Sequence, residues 1–73
     1  MTLYDAVAIA EGFCEHEPTL EETLEAWAHL IETGHCWQLQ GWFGRNAESF
    51  IKDGIITEDG KINWETVAYL QTR

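Results

Sequence analysis

The side chains best suited to metal chemistry occur in two close pairs, Cys14 with His16 and His35 with Cys36. Thiolate and imidazole groups are the ligands that zinc prefers in proteins. The usual zinc-site patterns, however, separate paired ligands by about two to four residues, and adjacent residues have difficulty pointing at one ion. The pattern therefore predicts no metal site and no cofactor, but two free thiols in the core and two histidines in loops.

Catalytic motifs are missing from the sequence. It contains no nucleophile elbow, no phosphate-binding loop and no paired-carboxylate motif. A cysteine and a histidine alone are a common coincidence and do not predict a nucleophile. The sequence thus predicts no catalytic residues, and it predicts that the protein is not an enzyme.

The charge of the chain is strongly negative and unevenly distributed. The 73 residues carry 13 acidic and 4 basic side chains, for a net charge of −9, and all four basic residues follow residue 44. Nucleic-acid phosphates and anionic membranes attract basic surfaces, so this charge argues against both as direct partners. No apolar run approaches the roughly 20 residues that span a bilayer, and no signal-peptide pattern is present. These features predict a single cytoplasmic domain covering residues 1–73.

Capping residues and apolar spacing predict two helices in the first half of the chain. Thr2 is suited to cap the first, which is expected to end before Pro18, because a proline disfavours helical geometry in the residue that precedes it. Thr19 and Glu22 form a capping box for a second helix that runs to residue 33, where Gly34 terminates it.

The second half predicts a third helix, a hairpin and a closing helix. Apolar residues keep helical spacing over Cys36–Asp53, with a break near Gly44 as the alternative. Glycines inside this helix indicate the close approach of another backbone. The Asp-Gly dipeptide at 59–60 predicts a tight turn between two short strands, and Asn63 is suited to cap the last helix. The expected fold is mainly α: a compact three- to four-helix domain with a short β-hairpin before the last helix, in a winged-helix-like order.

The outer face of the second helix is the most acidic surface that the sequence predicts. It carries Glu21, Glu22, Glu25, His29 and Glu32 at helical spacing. An ordinary solvated helix face is one interpretation. The other is that the face attracts a basic site on another protein, including one that normally holds DNA or RNA.

Trp42 and Arg45 are the candidate binding residues of the third helix. Trp37 and Trp42 do not share the face of Leu39 and Phe43, so at least one of the two indoles is expected to be partly exposed. Exposed aromatic side chains beside glycine are typical binding anchors. Packing in the core or in a dimer is the competing interpretation.

The central segment contains Trp37-Gln-Leu-Gln-Gly41, Phe43-Gly-Arg45, Ala47 and Ile51-x-x-Gly54-x-Ile56. Through these residues the chain from Leu30 to Ile56 resembles a family of small phage-encoded proteins of unknown function. It departs from the family pattern at His35 and Cys36, where apolar or small residues are common. The resemblance implies a phage origin and an intracellular accessory role, and it implies no particular activity.

The leading functional hypothesis is a small acidic phage protein that binds a host or phage protein with a basic surface and thereby modulates or inhibits it. A nucleic-acid mimic is one form of this hypothesis. The alternative is a winged-helix-like transcriptional regulator that contacts DNA through Arg45 and Lys52. A homodimer organised by the first and third helices is a further possibility that the sequence leaves open.

Overall fold

Four α-helices surround an aromatic core in the computed structural model, which describes residues 2–12, 17–39 and 41–71. They are α1 (Leu3–Glu11), α2 (Leu20–Thr33), α3 (Gly41–Lys52) and α4 (Trp64–Gln71), and a short 3₁₀ turn, His35–Trp37, follows α2. Within the described ranges no β-strand forms. The prediction of a mainly helical domain is confirmed.

α2 is the central element, and its predicted bounds are confirmed. The Thr19 hydroxyl accepts a hydrogen bond from the Glu22 N–H at 3.1 Å, and the Glu22 carboxylate accepts one from the Thr19 N–H at 2.9 Å. This reciprocal pair satisfies two of the N–H groups that a helix leaves unpaired at its first turn. Gly34 ends the helix in the left-handed conformation, with φ of 79°. Six of the buried apolar residues lie on α2: Leu24, Ala26, Trp27, Ala28, Leu30 and Ile31.

α1 packs against α2. It ends well before Pro18, the predicted limit of the first helix. Thr2 caps it by accepting a hydrogen bond from the Asp5 N–H at 3.1 Å, as predicted. The helix ends at Glu11, because Gly12 adopts the left-handed conformation with φ of 80°. Ala6 is its fully buried residue. The expectation that the Cys14 thiol lies in the core concerns a residue outside the described ranges.

α3 begins later than predicted. The expected helix over Cys36–Asp53 is wrong in its first part, because the chain tightens into a 3₁₀ turn there, with Trp37 N–H donating to the Gly34 carbonyl at 3.2 Å. This turn buries Cys36 and lays the Trp37 ring beside Gly44. The helix then runs through Gly44 without a break.

The predicted β-hairpin is wrong. Ile56 and Ile62 form one antiparallel bridge, with the Thr57 N–H donating to the Lys61 carbonyl at 2.8 Å, but no strands extend from it. The Asn63 N–H still donates to the Ile55 carbonyl at 2.8 Å, and the Asn63 side chain accepts from the Thr66 N–H at 3.2 Å, so α4 begins directly after the bridge. The region is a tight loop, so the winged-helix order lacks its wing.

The tip of this loop packs directly on the backbone of α2. Gly60 is buried and has φ of 84°. A Cβ atom at this position would lie 2.6 Å from the Glu32 Cβ, 2.7 Å from the Ala28 carbonyl oxygen and 2.8 Å from the Glu32 nitrogen. Glycine is therefore required for this contact, both for its positive φ and for the missing side chain.

Aromatic rings fill the space between α2 and α3. The Trp27 ring lies 5.8 Å from that of Phe43 and 5.5 Å from that of Phe50, measured between ring centroids. Trp42 stacks on Phe43 at 3.9 Å and meets the edge of Trp27 at 6.3 Å. Because each large aromatic side chain can bury roughly 150–250 Å², this cluster provides a core that a chain of this size would otherwise lack.

Candidate protein-binding surfaces

The first candidate is the acidic face, which we define as Glu21, Glu25 and Glu32 on α2 together with Glu58 and Asp59 in the loop. All five side chains are exposed. Residues 21, 25 and 32 lie within about 40° of one another around the helix axis at 100° per residue. The structure thus brings three of the glutamates predicted for partner binding onto one side of α2.

Glu58 and Asp59 belong to the loop that packs on α2 through Gly60. The Gly60 contact with Ala28 and Glu32 brings the backbone of this loop against α2. Sequence reasoning missed Glu58 and Asp59, since it assigned them to the tip of a hairpin. Lys61 follows directly and places one positive charge beside the acidic ones.

Glu22, another predicted partner-binding residue, has a structural task. Its carboxylate closes the capping box with Thr19 and is only partly exposed. A carboxylate that accepts a backbone hydrogen bond at the start of a helix also interacts favourably with the helix dipole. Its role in partner binding remains a prediction.

Trp42 and Trp37 differ in how far the structure buries them. Trp42, the predicted binding residue, is half-buried in the aromatic cluster. Trp37 is 52% exposed, with its ring lying against Gly44. The expectation that at least one of the two indoles is exposed is confirmed, and Trp37 is the more exposed of them.

Arg45 lies on the exposed side of α3. A shallow cleft of about 280 Å³ is lined by Arg45, Glu48, Ser49 and Lys52. Two of the four basic residues of the chain therefore share one helix face, but a glutamate stands between them. This arrangement gives a surface of mixed charge.

A second candidate, which the sequence did not predict, is the apolar groove between α2 and α4. Its larger cavity, of about 520 Å³, is lined by Thr19, Leu20, Glu21, Trp64, Val67, Ala68 and Gln71. A smaller one, of about 200 Å³, adjoins it and is lined by Leu20, Leu24, Phe50, Ile55, Val67, Leu70 and Gln71. The last helix contains more apolar residues than the core buries, and this excess was the signal in the sequence.

The described part of the chain offers little for metal chemistry. In residues 2–12, 17–39 and 41–71, no three His, Cys, Asp or Glu side chains are grouped as metal ligands. Cys36 is a fully buried free thiol, as predicted. The His35 ring nitrogen Nδ1 lies 2.8 Å from the Thr33 hydroxyl. Cys14 and His16 lie outside the described residues.

Burial of Cys36 has a measurable consequence. Burial raises the pKa of its thiol, against a smaller opposing effect of hydrogen bonds from its own and the Trp37 backbone N–H groups. The pKa of the Cys36 thiol is higher in the folded than in the unfolded protein. The contribution of this thiol to folding stability is therefore complete below the ordinary thiol pKa and is lost as the pH rises above it.

We therefore expect Cys36 to react slowly with an aromatic disulfide reagent in the folded protein and fast once the protein is unfolded. The thiolate is the reactive species, and both burial and the raised pKa limit it. The measurement uses a Cys14→Ser background, so that one thiol reports, with absorbance followed in buffer and in denaturant. Equal rates in the two conditions would show that Cys36 is accessible.

A family model described as a domain of unknown function (DUF7417) matches residues 8–72. The chain belongs to this family. No curated protein and no solved structure matches the chain. None of the described helices is both long and apolar enough to span a membrane.

Proposed function

We propose that this member of the DUF7417 family is a small phage accessory protein that acts in the host cytoplasm by binding another protein, without catalysis. The partner is a host or phage protein with a basic surface, whose activity the binding modulates or inhibits. The phage origin is supported by the motif Trp37-Gln-Leu-Gln-Gly-x-Phe-Gly-Arg45, which resembles that of small phage-encoded proteins.

The observation that carries this proposal is the acidic face. Glu21, Glu25 and Glu32 follow one another along α2 at axial spacings of about 6 and about 10 Å, at 1.5 Å per residue. The loop that carries the exposed Glu58 and Asp59 packs on α2 at Ala28 and Glu32. A row of carboxylates attracts the lysines and arginines of a groove that normally holds phosphates, which makes a nucleic-acid mimic a specific form of this proposal.

The test is affinity capture from host lysate, at low and at physiological salt, followed by mass spectrometry. The acidic-face variant combines Glu25→Gln, Glu32→Gln and Glu58→Gln, all at exposed positions. We expect it to bind the captured partner roughly tenfold more weakly than the natural chain, since an exposed ion pair contributes about 0.2–1 kcal/mol.

The matched control removes the same charge elsewhere. Glu11→Gln, Glu48→Gln and Asp53→Asn are also at exposed positions, outside the acidic face. We expect this control to retain the partner. Equal weakening by both triple variants would show that only net charge matters, and the absence of any salt-sensitive partner would contradict the proposal.

DNA binding through Arg45 and Lys52 remains the alternative proposal. It is supported by their position on one face of α3. It is opposed by Glu48 in the same cleft, by the net charge of −9 and by the loop in place of a wing. Retarded migration of DNA fragments at about 50 mM salt, where phosphate contacts are strong, would favour it over protein binding.

A further inference from the structure

The groove between α2 and α4 gathers several exposed apolar side chains around one cavity. Leu20 is 46% exposed, Trp64 47% and Leu70 40%, and all three line it. Leu24 and Val67, which are buried, form part of its floor. A concavity surrounded by large exposed apolar side chains is more often a binding site than an ordinary solvated surface.

The charged side chains that the structure describes at this groove are acidic. Glu21 lines the larger cavity, and the exposed Glu65 follows Trp64 on α4. Among residues 2–12, 17–39 and 41–71, no lysine or arginine lines either cavity. Through Glu21 the groove is continuous with the acidic face. Its occupant must therefore combine apolar side chains with positive charge.

We propose that this groove binds a short amphipathic helix of another protein, with leucine-like side chains on one face and lysine or arginine at its flanks. The groove follows α4, whose eight residues span about 12 Å, so it accommodates roughly two helical turns. Apolar anchors at i, i+3, i+4 and i+7 are the usual way in which a helix occupies such a groove.

Charge also selects against a second copy of this chain as the occupant. Two copies would bring like-charged rims together, and each copy carries a net charge of −9. A basic helix neutralises the rim instead, and its attraction weakens as salt is added. This inference rests on the proposed protein-binding function and specifies the chemistry of the partner.

The probe is a synthetic peptide of about 14 residues, made of leucine and lysine with the leucines at helical spacing and both ends blocked. Two control peptides have the same leucine positions with glutamate replacing lysine, or the same composition in scrambled order. Titration into ¹⁵N-labelled full-length protein follows the four tryptophan indole N–H signals, assigned by single Trp→Phe variants. We expect the Trp64 signal to shift and the Trp37 signal to remain in place.

Two variants locate the binding. Trp64→Ala and Leu70→Gln each change an exposed lining residue, and we expect each to raise the Kd of the leucine–lysine peptide roughly tenfold, as for an interface anchor. The matched control is Trp37→Ala, which removes an equally exposed indole elsewhere and should leave the Kd unchanged. Circular dichroism confirms that each variant is folded.

Three results would overturn the inference. The first is that the Trp64 signal stays in place, and the second is that the glutamate or scrambled peptide binds as tightly as the lysine peptide. The third is sedimentation as a dimer that Trp64→Ala converts to a monomer, which would assign the groove to a second copy. Because the acidic-face variant changes no residue that lines the groove, its failure in lysate capture is distinguishable from failure of the peptide titration.

Discussion

Replacing Gly60 by alanine is expected to destabilise the protein by about 2–5 kcal/mol, which is a large part of the stability of a small domain. Two costs add. An L-residue in the left-handed region costs about 1–2 kcal/mol, and forcing a methyl group into a filled space costs about 1–3 kcal/mol more. The methyl group would lie within 2.8 Å of three atoms of α2, two of them backbone atoms, so α2 cannot yield by rotating a side chain alone.

Gly54 provides the matched control for this prediction. Its φ is 76°, close to that of Gly60, but a Cβ atom there would have no neighbour within 4 Å. Gly54→Ala should therefore cost only the conformational part, about 1–2 kcal/mol. Unfolding by urea, followed by tryptophan fluorescence, measures both values. If the two variants lost the same stability, the close packing of the loop on α2 would be disproved.

Phe43→Ala is expected to remove about 3–5 kcal/mol, because it leaves a cavity in the centre of the aromatic cluster. Phe43 is 1% exposed, stacks on Trp42 and contacts Trp27. A domain of 73 residues has a total stability of about 4–11 kcal/mol, at about 0.05–0.15 kcal/mol per residue. The variant should therefore lose between about a quarter and all of this stability, measured by urea unfolding and by the near-ultraviolet circular dichroism of the tryptophans.

Phe43→Leu keeps most of the buried volume and should retain a folded state whose stability can be measured. Tyr4→Ala provides the opposite control. This ring is 82% exposed, and its removal should change the free energy of unfolding by no more than about 0.5 kcal/mol. A loss below about 1 kcal/mol for Phe43→Ala would contradict the central place of the cluster.

Local rules predicted the parts of the fold that depend on near neighbours in sequence. The capping box of Thr19 and Glu22 and the terminator Gly34 gave the correct bounds of α2, because these bonds form within one helical turn. Thr2 and Asn63 were likewise recognised as caps from residue type and position.

Contacts between distant segments account for the errors. Glycines in the third helix indicated a close approach of backbone, but a Cβ at Gly44 would meet the Trp37 ring at an ordinary 3.6 Å. The close approach occurs at Gly60, where the Asp-Gly turn signal had suggested a free hairpin tip. No local sequence pattern predicts that the turn at Gly60 packs on Ala28. The groove was missed for the same reason, since its two walls are separated by more than 40 residues.

The candidate surfaces were predicted in part. Helical spacing alone grouped Glu21, Glu25 and Glu32, because residues on one helix share a face at fixed intervals. The additions from the loop and the exposure of Trp37 depend on tertiary packing. Helical spacing alone could not distinguish the capping carboxylate of Glu22 from its exposed neighbours. The capping-box motif did predict the capping role of Glu22.

The modest attachment of α4 has a consequence for the dynamics of the chain. Val67 is the buried residue of this helix in the described part of the chain, whereas α2 has six. Segments with few buried contacts open locally at a much lower free energy than global unfolding requires. Transient detachment of α4 would leave the aromatic cluster and the α1–α2 pair in place and would uncover Leu24, Phe50 and Ile55. We therefore expect α4 to open more readily than α2 in the native protein.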